Sequence, residues 1–277
     1  MAMRCLVVAD LHYSLPQFDW LLRAAPYFDV VIIAGDALDI GSIVDFRAQI
    51  VVVRKYLALL SQATRVILCS GNHDLDERDA TGEKVSRWIS ETENLGIARD
   101  GDSLAIGDTF FTICPWWDGP RVKENIGAQL REAATTHHGR WIWVHHAPPA
   151  DSPTSWAGSR SQGDIELAQW IEAYRPDFVL SGHVHQSPFT RDGSWFDRVG
   201  ETWVFNAGHQ FGSPPTFIAL DLDAGTAFWL SAAGEQYIDL NAPLQRPAKD
   251  VVDFPDWLIA AGRAADPIPA QPSQAVR

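Results

Sequence analysis

The chain has 277 residues, 46% of them hydrophobic and 21% charged, which fits a globular domain with a sizeable core and excludes a disordered chain. No run approaches the about eighteen apolar residues of a membrane span, so no membrane partner is expected. The formal net charge of −13 argues against an extended nucleic-acid track, yet a small anionic substrate stays open if bound cations invert the local field.

The start, MAMRCLVVADLH, has too short an apolar stretch for an export signal and runs straight into Asp10 and His12. It reads as a first strand, and the expected location is the cytoplasm. The run 6–9 is followed by FDWLLRAA, then by the run 30–34. A segment over 43–60 with apolar residues three and four apart comes next, and then RVILCS over 65–70. This alternation predicts βαβ units and a mostly parallel sheet. A charged helix over 83–93, the strand TFFTICP and a helix over 123–134 are expected after it. The buried strands WIWV (141–144) and DFVLS (177–181) are separated by an amphipathic helix in DIELAQWIEAY. From Trp203 onward WVFNAG, PTFIALDLDAG and TAFWLS read as an antiparallel ending built on hairpins. The domain is expected over 1–240, with a Pro/Ala-rich C-terminal tail over 241–277, of which AADPIPAQPSQAVR should be poorly ordered. Cys5, Cys69 and Cys114 lack CxxC spacing, so neither a zinc knuckle nor a disulfide framework is expected. The twelve tryptophans read as core and lid packing.

What ends each buried run is more informative. The successive runs end in Asp10-Leu11-His12, Gly35-Asp36, Gly71-Asn72-His73-Asp74, His145-His146 and Gly182-His183-Val184-His185. In open α/β sheets the ligand crevice lies outside the carboxyl ends of the strands. Each ending has a plain explanation alone: Asp is an ordinary helix N-cap, and Gly-Asp is a common turn pair. In GHVH two imidazoles at i and i+2 leave an extended chain on the same side. Taken together, the endings deliver Asp, His and Asn to one crevice, a donor set suited to metal ions.

The order D-x-H, GD, GNHD, HHAPP, GHVH resembles the calcineurin-like metallophosphoesterase superfamily, from Asp10 to His185, and Asn206-Ala207-Gly208 resembles its later Asn-x-Gly. The resemblance implies an α/β fold of mixed β-sheets sandwiched between helices in four layers. It implies one metal held by Asp10, His12, Asp36 and His185. A second would be held by Asp36, Asn72, His183 and one of His145 or His146. Neighbours on a strand point to opposite faces, which leaves that choice open. The family's spacing of ligand histidine, one residue, then proline favours His146. By the same resemblance His73 faces the substrate and protonates the leaving oxygen. Asp39, in GDALDIG, resembles the second Asp of the GDxxD element of serine/threonine phosphatases, which hydrogen-bonds that histidine; a helix N-cap before residues 40–43 is the other explanation.

Imidazole, carboxylate and amide ligands favour two divalent transition-metal ions, Mn, Fe, Zn or Ni, over Mg or Ca. The implied reaction is in-line attack of a metal-bridging hydroxide on a phosphodiester or phosphomonoester, a small anionic substrate. One departure stands out: Ile40 occupies the place of the phosphatases' arginine, which weakens a protein-phosphatase function. Arg121 and Arg160 are candidate substitutes on loops, though each is better explained as a solvated surface charge. PWWDGP (115–120) and SPTSWAGSR (152–160) are either pocket wall or packed loop. A nuclease and a non-catalytic scaffold of the same fold are the competing functions.

Overall fold

The apolar runs become the inner strands of two sheets, as seen in a computed structural model of the chain that describes residues 3–265. In the eight-stranded sheet the order is Lys249–Asp250, Gly234–Asp239, Thr226–Ser231, Phe217–Asp221, Arg4–Val8, Val30–Ala34, Arg65–Cys69 and Ala98–Arg99. The last four are parallel, and Phe217–Asp221 joins Arg4–Val8 antiparallel and carries the hairpins. The six-stranded sheet runs Phe196–Val199, Thr202–Asn206, Phe178–Ser181, Arg140–Val144, Thr109–Ile113 and Ser103–Ile106. Its four inner strands are parallel.

The continuous apolar runs follow from burial on both faces of each strand. In Arg4–Val8, Leu6 and Val8 pack outward under the helices Leu15–Ala24, Phe46–Ala63 and Asp256–Ala265. Cys5 and Val7 face inward, against Ile142, Leu180 and Phe205 of the other sheet. On the far side Trp143 and Val179 pack beneath Pro120–Thr136 and Ile165–Tyr174. The layers are therefore helix, sheet, sheet, helix. The tryptophans are largely structural, Trp88, Trp141, Trp143 and Trp195 being fully buried.

The five informative strand ends are divided between these two sheets. Three features differ from expectation. Thr202–Asn206 forms a hairpin with Phe196–Val199 but lies parallel to Phe178–Ser181, in a different sheet from the hairpins that begin at Phe217. No helix spans 83–93. Glu77–Arg78 pairs with Lys84–Val85 around a turn in which the Asp79 carboxylate accepts the N–H groups of Thr81 and Glu83, and only the short helix Arg87–Ser90 follows. The charges there carry no apolar stripe to hold a longer helix.

The third difference is that the described residues past 240 pack onto the domain. Lys249–Asp250 adds an edge strand beside Gly234–Asp239, and Asp256–Ala265 buries Leu258, Ala261 and Ala265 against the first helix. Residues 266–277 of the expected tail lie outside the described residues. Among the described residues no helix is long and apolar enough to cross a membrane.

Candidate metal centre

The carboxyl ends of Arg4–Val8, Val30–Ala34 and Arg65–Cys69 in one sheet meet those of Arg140–Val144 and Phe178–Ser181 in the other. The chain leaves these strands in tight, unusual backbone. Asp10, His12, Asp36 and His183 all have positive φ (55°, 43°, 54° and 67°) although none is glycine. Such residues cost on the order of 1–3 kcal/mol each and persist where surrounding structure fixes them. Here the fixing bonds are visible: Asp10 N–H donates to Gly35 O and His12 N–H to Asp36 O, both at 3.0 Å. Gly71 packs so closely that a methyl on it would fall 2.1 Å from Asp36 Oδ1. Only glycine lets the GNHD loop close over that carboxylate.

Asp10 and Asp36 are buried, and among the described residues their ion-pair contacts are all with histidines. Asp10 accepts the N–H of His183 (3.0 Å to Oδ2), and its Oδ1 lies 3.1 Å from His185 Nε2. Asp36 Oδ1 accepts the N–H of His73 at 2.8 Å, while Oδ2 faces His146 Nε2 at 3.1 Å and His12 Nε2 at 3.9 Å. His12 Nε2 and His185 Nε2 approach to 3.0 Å. Two imidazole nitrogens that close need a proton or a cation between them.

Burial alone would raise the pKa of Asp36, but the His146 imidazole and the His73 N–H hold it well below the ordinary carboxylate range. Burial opposes charge on His146 too, yet Asp36 and Asp10 push its pKa up to about 9. His183 is pushed down to about 4 by burial and by His146.

The two adjacent histidines separate cleanly. His146 Nδ1–H donates to Ala34 O at 2.7 Å, which frees Nε2 toward Asp36 and Asp10. His145 turns the other way: Nδ1–H donates to Ala147 O at 3.0 Å, and Nε2 lies 3.9 Å from Asp164.

Three groups could each hold a cation: Asp10, His12 and His185; His12, Asp36 and His73; Asp10, Asp36 and His146. The fit to metal is also read from two buried atoms: Asn72 Oδ1 has no hydrogen-bond partner, and His146 Nε2 lies 3.1 Å from Asp36 Oδ2 without hydrogen-bond geometry. A buried polar atom left unpaired costs about 1–3 kcal/mol, and a cation would relieve both. His183 stands beside His146, ring centroids 5.2 Å apart.

A calcineurin-like phosphoesterase model matches residues 3–187, about two thirds of the sequence. The chain belongs to the calcineurin-like phosphoesterase family. Among solved structures, TT1561 of Thermus thermophilus is 15% identical, with a TM-score of 0.55 over 87% of this chain and 100% of that one. Purple acid phosphatase PPD1 from yellow lupin (Lupinus luteus) seeds is 15% identical, with a TM-score of 0.53 over 90% of this chain and 53% of that one. At these identities the likeness is one of fold. No curated protein matches.

Of the residues expected as ligands, Asp10, His12, Asp36, His146, His183 and His185 gather at this seam, and Asn72 stands in the loop whose His73 N–H meets Asp36. The remaining expected residues fall as follows. His73 has its ring edge-on to His12 at 4.6 Å and receives the Ile40 N–H on Nδ1 at 3.3 Å. Asp39 does not hydrogen-bond it: Asp39 Oδ1 is 3.5 Å from His73 Nδ1 and accepts the Gly41 N–H at 2.8 Å instead. Nor is Asp39 a helix cap, because the helix starts at Phe46 and is capped by Asp45. Arg121 pairs with Asp79 at 3.3 Å, and Arg160 is exposed.

Two residues were missed in the sequence. The Asp74 carboxylate accepts N–H groups from Leu38 and Gly71, pinning the GD and GNHD loops together; burial and the nearby Asp36 push its pKa up to about 7. His209 donates Nδ1–H to Asp10 O at 2.7 Å, and its ring stands 4.8 Å from His185 and 5.4 Å from His12. The only signal for His209 was its place just after Asn206-Ala207-Gly208. Asn206 braces that turn by donating to Thr154 O and Val184 O and accepting the Gly208 N–H.

Proposed function

We propose that the protein hydrolyses phosphomonoesters or phosphodiesters with a pair of divalent transition-metal ions. Asp10, His12, Asp36 and His185 would hold one ion, and Asp36, Asn72, His146 and His183 the other. The observation that carries this is the position of Asp36, whose carboxylate belongs to one candidate group with His12 and to another with His146. When bound, such a pair activates water as a nucleophile at neutral pH and neutralises charge on the phosphoryl oxygens.

The chain's own residues supply the rest. The seven proposed ligands carry only two carboxylates, so the occupied site keeps a positive balance that draws a phosphate into an acidic protein. The His73 N–H orients Asp36. With Nδ1 engaged by the Ile40 N–H, neutral His73 keeps its proton on Nε2, the atom from which a departing alkoxide can take it. Trp116 lies against His146 and His183, at 5.6 and 5.1 Å between centroids, and walls the site on that side.

Metal-stripped protein should be inactive on bis(p-nitrophenyl) phosphate and p-nitrophenyl phosphate, and Mn²⁺ should restore it better than Mg²⁺. Full activity without metal would overturn the proposal. Preferential cleavage of single-stranded DNA would instead favour a nuclease.

A further inference from the structure

A cavity of about 300 Å³ opens beside the metal centre and shares His183 with it. Its walls include Trp116, Trp117, Ala147, Gln162 and Ile165. This volume sits at the lower end of the roughly 300–1,000 Å³ typical of small-molecule pockets.

The wall is rigidly built. Pro149 forms a β-bridge with Asp164, and Gly163 comes so near that a methyl on it would fall 2.4 Å from Pro149 O. The segment 162–164 is therefore locked to the loop that follows His146. Trp117 is fixed by its indole N–H, which donates to Asp164 Oδ2 at 2.8 Å.

The charges define what the cavity takes. Asp164 uses its other oxygen to accept the Leu167 N–H, and Glu166 pairs with Lys123 at 2.5 Å. Both carboxylates are satisfied within the protein, so neither calls for a ligand cation. Both would repel a second anionic group. What remains is the indole of Trp116, the indole of Trp117 with the Glu166-paired Lys123 Nζ 4.9 Å over one side of its ring, a methyl, an exposed isoleucine and the amide of exposed Gln162.

Resting on the proposed function, we infer that this cavity receives the organic group of the phosphoester, and that this group is uncharged and carries a flat ring stacked on indole. The phosphoryl end lies at the metal centre, on the other side of His183. The substrate class is thus a small ring-bearing ester with a single anionic phosphoryl group.

Calorimetry on the metal-loaded protein, comparing phenylphosphonate with methylphosphonate, tests this. Phenylphosphonate should bind roughly tenfold tighter, in keeping with an aromatic contact beyond its buried area. A para-carboxylate on the ring should cancel the gain. Trp117→Ala should bring the phenyl-to-methyl ratio close to one, and so should Ile165→Arg, at an exposed position where folding is not at stake. Equal affinities in the unsubstituted protein, or a preference that survives both substitutions, would overturn the inference and leave the metal centre standing. Failure of methylphosphonate itself to bind would remove the metal-centre proposal, and this one with it.

Discussion

The adjacent histidines of HHAPP offer a sharp test of the site, because their structural surroundings assign them opposite consequences. His146 Nε2 is 3.1 Å from Asp36 and 3.8 Å from Asp10, so His146→Ala removes a proposed ligand. Losing only a partner behind a ligand costs roughly 10–100-fold in metal affinity, and losing the ligand should exceed about 100-fold. About one ion per chain should then remain after gel filtration, with hydrolysis abolished. His145→Ala removes the donor to the buried Ala147 carbonyl, which costs about 1–3 kcal/mol. At about 2–4 °C per kcal/mol, that lowers the Tm by roughly 2–12 °C. Its metal affinity should stay within about tenfold, since His145 faces Asp164 and no proposed ligand. Elemental analysis with chelator competition reads the first quantity and calorimetric unfolding the second. If His145→Ala loses an ion while His146→Ala keeps both, the assignment of the second ion is refuted.

In the metal-free protein the raised pKa of His146, about 9 against an ordinary 6.5, contributes stability that is complete below about pH 6.5 and lost as pH rises through 9. His185, raised by its bond to Asp10 against the effect of burial, acts in the same direction. His12, His183 and His209, lowered by burial, change charge below that window. The Tm of metal-free protein should therefore fall between pH 6.5 and 9.5, and a flat profile would contradict this charge balance. His73→Ala should lower kcat by roughly 10²–10⁴ with two ions retained; loss of an ion would make His73 a ligand through its group with His12 and Asp36. Truncation after residue 240 should destabilise the protein measurably, since it strips Leu258, Ala261 and Ala265 from the first helix; unchanged unfolding would show that segment to be dispensable.

The strands that deliver the site were legible because burial on both faces made them unbroken apolar runs, and each ended abruptly in polar residues. The same double burial hid which sheet each belonged to: LVVA and WIWV look alike, yet one pairs with Val30–Ala34 and the other with Phe178–Ser181. The orientation of His145 and His146 was likewise hidden, because the bonds to Ala147 and Ala34 that fix them come from folded geometry. Asp39 showed the limit of spacing as evidence, since its carboxylate folds back on Gly41. The helix Asp256–Ala265 was overlooked although Leu258, Ala261 and Ala265 fall three and four apart, because the Pro-rich composition around it outweighed that short periodicity.

The seam between the sheets gives the metal centre a second consequence. Asp10, His12, Asp36 and Asn72 come from the eight-stranded sheet, and His146, His183 and His185 from the six-stranded one. Ions seated there as proposed would act as rivets through the sandwich, and their binding energy would become cohesion between its halves. At about 100 times its Kd, each such ion would add roughly 2.7 kcal/mol to the stability of the whole fold. A chain starved of metal would then be easier to prise open along that seam, so metal supply would govern its lifetime as well as its turnover.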